Sequence, residues 1–373
     1  MDDAIKGKKI LIYISDLKTG NGISACIMNY YDCLIKRGAI VHFLLNSGES
    51  SDFTQKVLDS NSKIFALPIN TSKPKKKNIN FIRDVMSNGY DIVHVNSSGF
   101  YALAILQIAK KNRIKVRIYH AHNPKEKRSA KVILREMLYV NPSIRKANFY
   151  AACSSNAGNS VYNHQNYVVI NNAMNIDKFK YVQSFRKEIH DELDLKDKFV
   201  VGVVGRIEAQ KNPYRIIDIF EEFHKLKSNA VLIWAGDGTL KDNIVQYVEK
   251  KEIEDCVIFL GVRKDVNKLY SSMDIFLLPS IFEGLGLVFV EAQISGLMCF
   301  GSDKVPKDVA ITNKMHFYQL DWSNEQWATK MLNESRKPIN RNNAYFEVEN
   351  SKFDITKMSN SLADYYIQCL NQT

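Results

Sequence analysis

Short apolar runs alternate with amphipathic stretches along nearly the whole chain, and this rhythm restricts the fold more than any other feature. Strand-like runs at Ile10–Ile14, Val41–Leu45, Ile64–Leu67, Ile92–Val95, Val116–Tyr119, Phe149–Ala152 and Val168–Ile170 are separated by helical patterns such as Ala25–Arg37, Phe81–Ser87, Tyr101–Lys111 and Ala130–Leu138. Repeated strand–helix–strand order predicts a parallel sheet covered on both faces. The rhythm lapses in a charged stretch at about 171–197. It resumes with strands at Phe199–Val204, Val231–Ala235, Val257–Leu260, Ile275–Leu278 and Cys299–Phe300, separated by helices at Tyr214–Leu226, Leu240–Val248, Val266–Ser272 and Val288–Ile294. The expected fold class is therefore α/β, with two doubly wound Rossmann-like domains, and 373 residues suffice for two cores. Residues 1–178 form the first domain and 179–350 the second, joined by a linker at about 171–197. Residues 351–373 supply a closing helix expected to pack back toward the first domain. Ligands of such sheets bind beyond the carboxyl ends of the strands, so function is sought in the loops there, facing a cleft between the domains.

Composition excludes several classes. Apolar residues make up 45% and charged residues 24%, which rules out a mainly disordered or fibrous chain. The apolar run Phe100–Ala109 is about half the length that crosses a bilayer, and the run from Ile275 is broken by Pro279 and Glu283. After Lys8 and Lys9 only Ile10–Ile14 is apolar, too short for a secretory signal, so a cytoplasmic location is expected. The six cysteines form no Cys-x-x-Cys pair and read as reduced core residues. Charge is lopsided: residues 1–180 hold 27 Lys+Arg against 12 Asp+Glu, and the remainder 24 against 28. The clusters Lys73, Lys75, Lys76, Lys77, then Lys110, Lys111, Arg113, Lys115, Arg117, then Lys125, Lys127, Arg128, Lys131 predict an anionic partner or a solvated face.

Five strand-end loops carry candidate chemistry. Gly20-x-Gly22-x-x-Ala25 follows the first strand and suits phosphate approach at a helix N-terminus, a plain tight turn, or the dinucleotide fingerprint, although the second strand ends in Asn46 rather than an acid. Arg206 and Lys211, between Gly205 and Pro213, suit a diphosphate or are two solvated cations. Gly236-Asp237-Gly238 reads as a tight reversal before a ligand contact. The segment Glu283-Gly284-Leu285-Gly286-Leu287 reads as a glycine loop opening a helix that carries Glu291. Its two carboxylates can accept hydrogen bonds from a sugar and a ribose, or serve as a cap and an exposed helix acid. His120 and His122 project to one face of a strand; with no third ligand apparent, hydrogen bonding by His122 outranks metal binding. No Walker loop, Ser/His/Asp arrangement or Asp-x-Asp pair occurs.

Glu283 and Glu291 form Glu-x7-Glu, and with Gly205-Arg206-x4-Lys211-Asn212-Pro213, Asn171–Phe179 and Phe259–Val266 they resemble the retaining GT-B glycosyltransferases of family 4. The phrases His120–Asn123, Cys153–Gly158 and Glu291–Leu297 look most like bacterial exopolysaccharide and capsule transferases. That resemblance implies a GT-B fold and a metal-independent, cofactor-free transfer of a hexose or N-acetylhexosamine from a nucleotide sugar, most often UDP-linked. The acceptor would be a polyprenyl-diphosphate-linked saccharide. His122, Glu283, Arg206 and Lys211 would act in catalysis; Gly22, Arg206, Lys211, Arg263, Glu283, Gly284, Leu285, Gly286, Leu287 and Glu291 would hold the donor. The acceptor would attack the face the nucleotide leaves, with the departing phosphate oxygen helping to take its proton. Lys73, Lys75, Lys76, Lys77, Lys111, Arg113, Lys125, Lys127, Arg128 and Lys131 would dock the protein on the anionic inner face of the plasma membrane. The rival readings are a nucleotide-sugar epimerase of the same fold, a dinucleotide oxidoreductase, and an anionic-polymer or nucleic-acid binder, although the basic clusters lack interleaved aromatics.

Overall fold

The apolar runs become two all-parallel sheets in the computed structural model, which describes residues 4–18, 22–48, 51–60, 62–71, 73–122, 130–162, 165–337, 340–349 and 351–373. The chain divides into one unit of residues 1–174 and 355–373 and a second of residues 175–354.

The first unit holds β1 (Lys9–Ile14), β2 (Ile40–Leu45), β3 (Ile64–Ala66), β4 (Ile92–Val95), β5 (Val116–Ala121), β6 (Phe149–Ala152) and β7 (Val168–Val169), in the order β3-β2-β1-β4-β5-β6-β7. β1 pairs with β2 from Lys9↔Ile40 to Ile14↔Leu45, and with β4 from Ile10↔Ile92 to Tyr13↔Val95. The strand order reverses between β1 and β4, the place where open parallel sheets leave a crevice. Alternate residues of β1 serve opposite faces. Ile10, Ile12 and Ile14 meet Ile27, Tyr30 and Tyr31 of the helix Gly22–Lys36 and Leu362 and Tyr366 of the helix Ser361–Asn371. Leu11 and Tyr13 meet Ile82 of the helix Lys76–Met86 and Ile105 of the helix Phe100–Lys111. Both faces are covered, which is why these strands read as unbroken apolar runs. The chain leaves this unit and re-enters it side by side, with the Ile355 amide donating to the Met174 carbonyl at 3.0 Å. The last helix is tied to the sheet by Tyr365, whose hydroxyl donates to the Tyr150 carbonyl at 2.9 Å.

The second unit holds β8 (Phe199–Val204), β9 (Ala230–Ala235), β10 (Val257–Gly261), β11 (Ile275–Leu278), β12 (Met298–Ser302) and β13 (Met315–Tyr318), in the order β10-β9-β8-β11-β12-β13. Its reversal lies between β8 and β11. Pro213 opens the helix Pro213–Leu226 behind a left-handed Asn212 (φ 59°), a placement that uses proline where the missing N–H is harmless.

Three differences from the sequence reading have local causes. The supposed linker at 171–197 contains a 3-10 turn, Ile176–Phe179, and a helix, Gln183–Glu192, that belongs to the second unit. Arg186 of that helix pairs with Asp274 at 2.9 Å and donates to the Ser272 carbonyl at 2.8 Å. Its high charge concealed it, since Ile189 is its single fully buried side chain. β13 was missed because four residues interrupted by His316 give no periodic signal. The helix expected at Ala130–Leu138 runs on to Lys146 through a π-helical turn at Glu136–Val140.

Candidate functional site

In the second unit, the loops after β8, β9, β10 and β11 lock together by backbone contact. The Ile207 amide donates to the Asp237 carbonyl at 3.0 Å, and the Gly236 amide to the Gly261 carbonyl at 2.8 Å. A Cβ on Gly236 would lie 2.0 Å from the Gly205 carbonyl oxygen, and one on Gly238 would lie 2.4 Å from that of Ile207. Gly236-Asp237-Gly238 therefore exists for close approach of two backbones, which braces the loop carrying Arg206 and Lys211; the sequence reading had taken it for a reversal.

Across the strand-order reversal, the β8 loop meets the β11 loop. Lys211 Nζ lies 2.6 Å from Glu283 Oε1, with the side chains 13% and 5% exposed. Ser280 Oγ donates to the same oxygen at 2.6 Å. The Ile281 amide donates to the Gln210 carbonyl at 2.9 Å, and Gln210 Nε2 to the Phe282 carbonyl at 3.0 Å. Charge on this buried carboxylate is thus held by one ammonium and one hydroxyl, with Gln210 Nε2 a longer donor to Oε2 at 3.5 Å. Arg206, in the same β8 loop as Lys211, is exposed, and its charge adds to the Thr239 hydrogen bonds in lowering the pKa of Glu208. Gly286 (φ 87°) precedes the helix Leu287–Ile294; a Cβ there would approach Phe289 Cδ2 to 3.2 Å, so both conformation and space call for glycine. Gly284 and the buried Leu285 complete this loop. Leu287 then begins the helix, where the Phe289 amide donates to the Gly286 carbonyl at 3.0 Å; a helix N-terminus is a favourable setting for anions.

Glu291, on that helix, accepts a hydrogen bond from Tyr270 Oη at 2.8 Å. Burial raises its pKa above the usual carboxyl range, opposed by the Tyr270 hydrogen bond and the charge of Lys178. Arg263, beyond β10, is already engaged: it meets Glu192 at 2.6 Å and Asp265 at 2.7 Å. Its guanidinium ties the helix Gln183–Glu192 to the β10 loop, while neighbouring Val262 is exposed.

In the first unit, Gly22 opens the helix Gly22–Lys36, with open space where a Cβ would lie; Gly20 lies outside the described residues. His122 follows β5 and is buried. Its Nε2 lies 2.8 Å from Asn96 Oδ1, and its ring is 4.1 Å from that of His120. Burial depresses its pKa to about 3, so the imidazole is neutral near pH 7. Among the described residues no three His, Cys, Asp or Glu side chains converge as metal ligands.

The basic residues do not form one patch. Lys75, Lys76 and Lys77 are exposed where the helix Lys76–Met86 begins, beyond the carboxyl end of β3, with Lys73 just before them. Lys111 and Arg113 precede β5 and so lie at the opposite, amino edge of the sheet. The twelve-residue helix between the two edges is about 18 Å long. Lys125, Lys127 and Arg128 lie outside the described residues, as does the Lys131 side chain. Exposed apolar groups missed by the sequence reading lie at the carboxyl edge: Ile133, Leu134, Met137 and Leu138 are 41%, 57%, 64% and 49% exposed. Arg135 sits among them and donates to Ser98 Oγ at 2.6 Å.

Residues 185–320 match the family model "Glycosyl transferases group 1", a span that contains Arg206, Lys211, Arg263, Glu283 and Glu291. The chain is 26% identical over 324 residues to EpsF of Bacillus subtilis (strain 168), covering 81% of each chain. It is 25% identical over 294 residues, 74% of each, to the UDP-Gal:alpha-D-GlcNAc-diphosphoundecaprenol alpha-1,3-galactosyltransferase of Escherichia coli. Among solved structures, Anabaena Alr3699/HepE in complex with UDP and glucose superimposes with a TM-score of 0.78 at 18% identity, covering 96% of this chain and 99% of that one. The fold class is therefore GT-B, with a seven-stranded and a six-stranded parallel sheet.

Proposed function

We propose, from the premise that residues 185–320 are a glycosyl transferases group 1 domain, that this glycosyltransferase moves a hexose or N-acetylhexosamine from a nucleotide sugar, UDP-linked, to a lipid-linked saccharide during exopolysaccharide or capsule synthesis. The observation that carries this reading is the Lys211–Glu283 pair, which bridges the strand-order reversal of the second unit, with Arg206 exposed in the same loop as Lys211. An arriving diphosphate meets two cations and the N-terminus of the helix Leu287–Ile294, and Glu283 and Glu291 accept hydroxyl hydrogen bonds from sugar and ribose. Arg206 and Lys211 stabilise the negative charge that grows on the leaving diphosphate, so the transfer needs no metal and no cofactor. The anomeric configuration is retained, with attack from the face the nucleotide leaves and the phosphate oxygen helping to take the acceptor's proton. The undecaprenol-linked acceptor named for the Escherichia coli relative supports a polyprenyl-diphosphate acceptor here.

Such an acceptor lies in a membrane. No helix among the described residues is long and apolar enough to cross one, and attachment is peripheral, to the inner face of the plasma membrane. It uses the carboxyl edge of the first unit, where Ile133, Leu134, Met137 and Leu138 enter the lipid boundary and Lys73–Lys77 meet anionic headgroups. The four lysines crowd a helix N-terminus, where cations are disfavoured by the helix dipole, a placement that an anionic surface offsets.

The test is transfer from a panel of nucleotide sugars to a short polyprenyl-diphosphate saccharide, with and without EDTA. Turnover that resists EDTA and falls roughly 100- to 1000-fold in Arg206→Ala, with unchanged melting temperature, fits the role assigned to Arg206. Full activity of Arg206→Ala refutes that role, and turnover abolished by EDTA refutes metal independence. Sedimentation with phosphatidylglycerol vesicles that ignores salt and the Met137→Asp substitution refutes the attachment.

A further inference from the structure

The closing helix Ser361–Asn371 reaches into the first sheet through a polar group. Tyr366, fully buried, places its Oη 2.6 Å from His94 Nδ1 on β4, and His94 Nε2 lies 3.1 Å from His120 Nδ1 on β5. His94 is paired with Ile118, two residues before His120, so His94, His120 and His122 share one sheet face. Their rings follow one another toward the strand ends. Those of His94 and His120 are 5.2 Å apart and 7° from parallel, and that of His120 is 4.1 Å from that of His122. Tyr366 closes the inner end of the row edge-on, its ring at 88° to that of His94.

The single phenolic proton gives this relay a direction. Burial keeps His94 and His120 neutral near pH 7, so each ring carries one proton and offers one lone pair. Were Tyr366 to accept from His94, its own O–H would be left in the core with no other acceptor among the described residues. With Tyr366 donating, His94 Nδ1 accepts and His94 Nε2–H donates to His120 Nδ1, which leaves the His120 proton on Nε2. Packing alone does not call for the phenol: Leu362 of the same helix covers the sheet with no polar atom. We propose that Tyr366 is a positioning residue of the transferase site, fixing through His94 the tautomer and ring plane of His120 and so the seat of the His122 ring. The proposal rests on the glycosyltransferase reading above. His122 is the end of the row that matters to a substrate, since it lies beside the crevice where strand order reverses and its buried Nδ1 has no partner among the described residues.

The test compares the full chain, labelled with 15N-histidine, as wild type, Tyr366→Phe and Tyr365→Phe. Tyr365→Phe removes the same atom from the same helix, but that hydroxyl donates to the Tyr150 carbonyl instead. Ring-nitrogen signals report which nitrogen of each imidazole carries the proton. The expected result is Nε2–H at both His94 and His120 in the wild type and in Tyr365→Phe, and a mixture of tautomers at both rings in Tyr366→Phe. In nucleotide-sugar transfer, Tyr366→Phe is expected to lower kcat by roughly threefold to tenfold, while Tyr365→Phe stays within about twofold of wild type. Nδ1–H at His94 in the wild type, tautomers unmoved in Tyr366→Phe, or equal kcat losses in the two variants overturn the proposal. If Tyr366→Phe does not fold, His94→Gln replaces it: its amide oxygen can accept from Tyr366 and its N–H donate to His120, so the His120 pattern should persist, and loss of that pattern overturns the proposal. The glycosyltransferase reading fails separately, when the wild type transfers from no nucleotide sugar while its ring nitrogens keep the expected pattern.

Discussion

Removing Lys211 should expose how much the Lys211–Glu283 pair contributes to the second unit. Glu283 is 5% exposed, and without the ammonium at 2.6 Å its carboxylate keeps the Ser280 hydroxyl at 2.6 Å and the more distant Gln210 amide at 3.5 Å. Breaking one side of a buried ion pair generally costs 3–5 kcal/mol; the surviving Ser280 contact puts Lys211→Met near the lower end, about 3 kcal/mol. Glu283→Gln keeps an oxygen for Ser280 and leaves an ammonium whose flexible stem can reach water, so its cost is about 1.5 kcal/mol. With both charges gone nothing is left uncompensated. The double variant should cost only about 1 kcal/mol, giving a coupling energy of about 3.5 kcal/mol. All three tryptophans, Trp234, Trp322 and Trp327, lie in the second unit, so fluorescence in a urea series follows that unit alone. A loss below 1 kcal/mol in Lys211→Met, or single costs that simply add up to the double, would refute the reasoning.

Three further outcomes are expected. The raised pKa of Glu291 means its neutral form suits the folded state, a contribution present at low pH and lost as pH rises through the folded value. Glu291→Gln should therefore raise the melting temperature of the second unit at pH 8 and not at pH 3.5, while weakening UDP binding; equal shifts at both pH values would contradict the assignment. His94 and His122 are depressed from 6.5 to about 3 and His120 is also lowered, all chiefly by burial. The unfolded chain thus takes up protons first, and the protection factors of amides in β4 and β5 should fall as pH drops from about 6.5 toward 3, less steeply in His94→Gln. Gly236→Ala should prevent the second unit from folding normally, since its Cβ would meet the Gly205 oxygen, whereas Gly261→Ala meets nothing within 4 Å and carries only left-handed strain of roughly 1–2 kcal/mol; circular dichroism of the two variants separates them.

What the sequence discloses and what it hides follow from range. Strands such as Phe199–Val204 are legible because burial on both faces makes them continuous apolar runs, and the glycine loop before Leu287 because Pro279 and the Glu291 segment bracket it. Arg206, Lys211 and Glu283 are legible as residue types at strand ends, but not the Lys211–Glu283 contact, which joins positions 72 residues apart. Tyr366 is legible as a helix position but not as the partner of His94, 272 residues away. Arg263 shows another limit of range: its ion pair with Glu192 joins positions far apart in the chain. The exposure of Ile133, Leu134, Met137 and Leu138 is not legible from the helical pattern at Ala130–Leu138, because periodicity cannot distinguish a core from an exposed face.

The return of residues 355–373 to the first unit sets a schedule for biosynthesis. The helix Ser361–Asn371 covers Ile27, Tyr30 and Tyr31 and gives His94 its tyrosine partner, yet it leaves the ribosome only after the whole second unit. Residues 175–354 are translated in between, a delay of about 9–36 s at ordinary elongation rates. Throughout that interval the nascent first sheet presents an uncapped aromatic surface that chaperones can bind, and a nonsense codon between positions 354 and 361 would spoil the half of the protein that was made first.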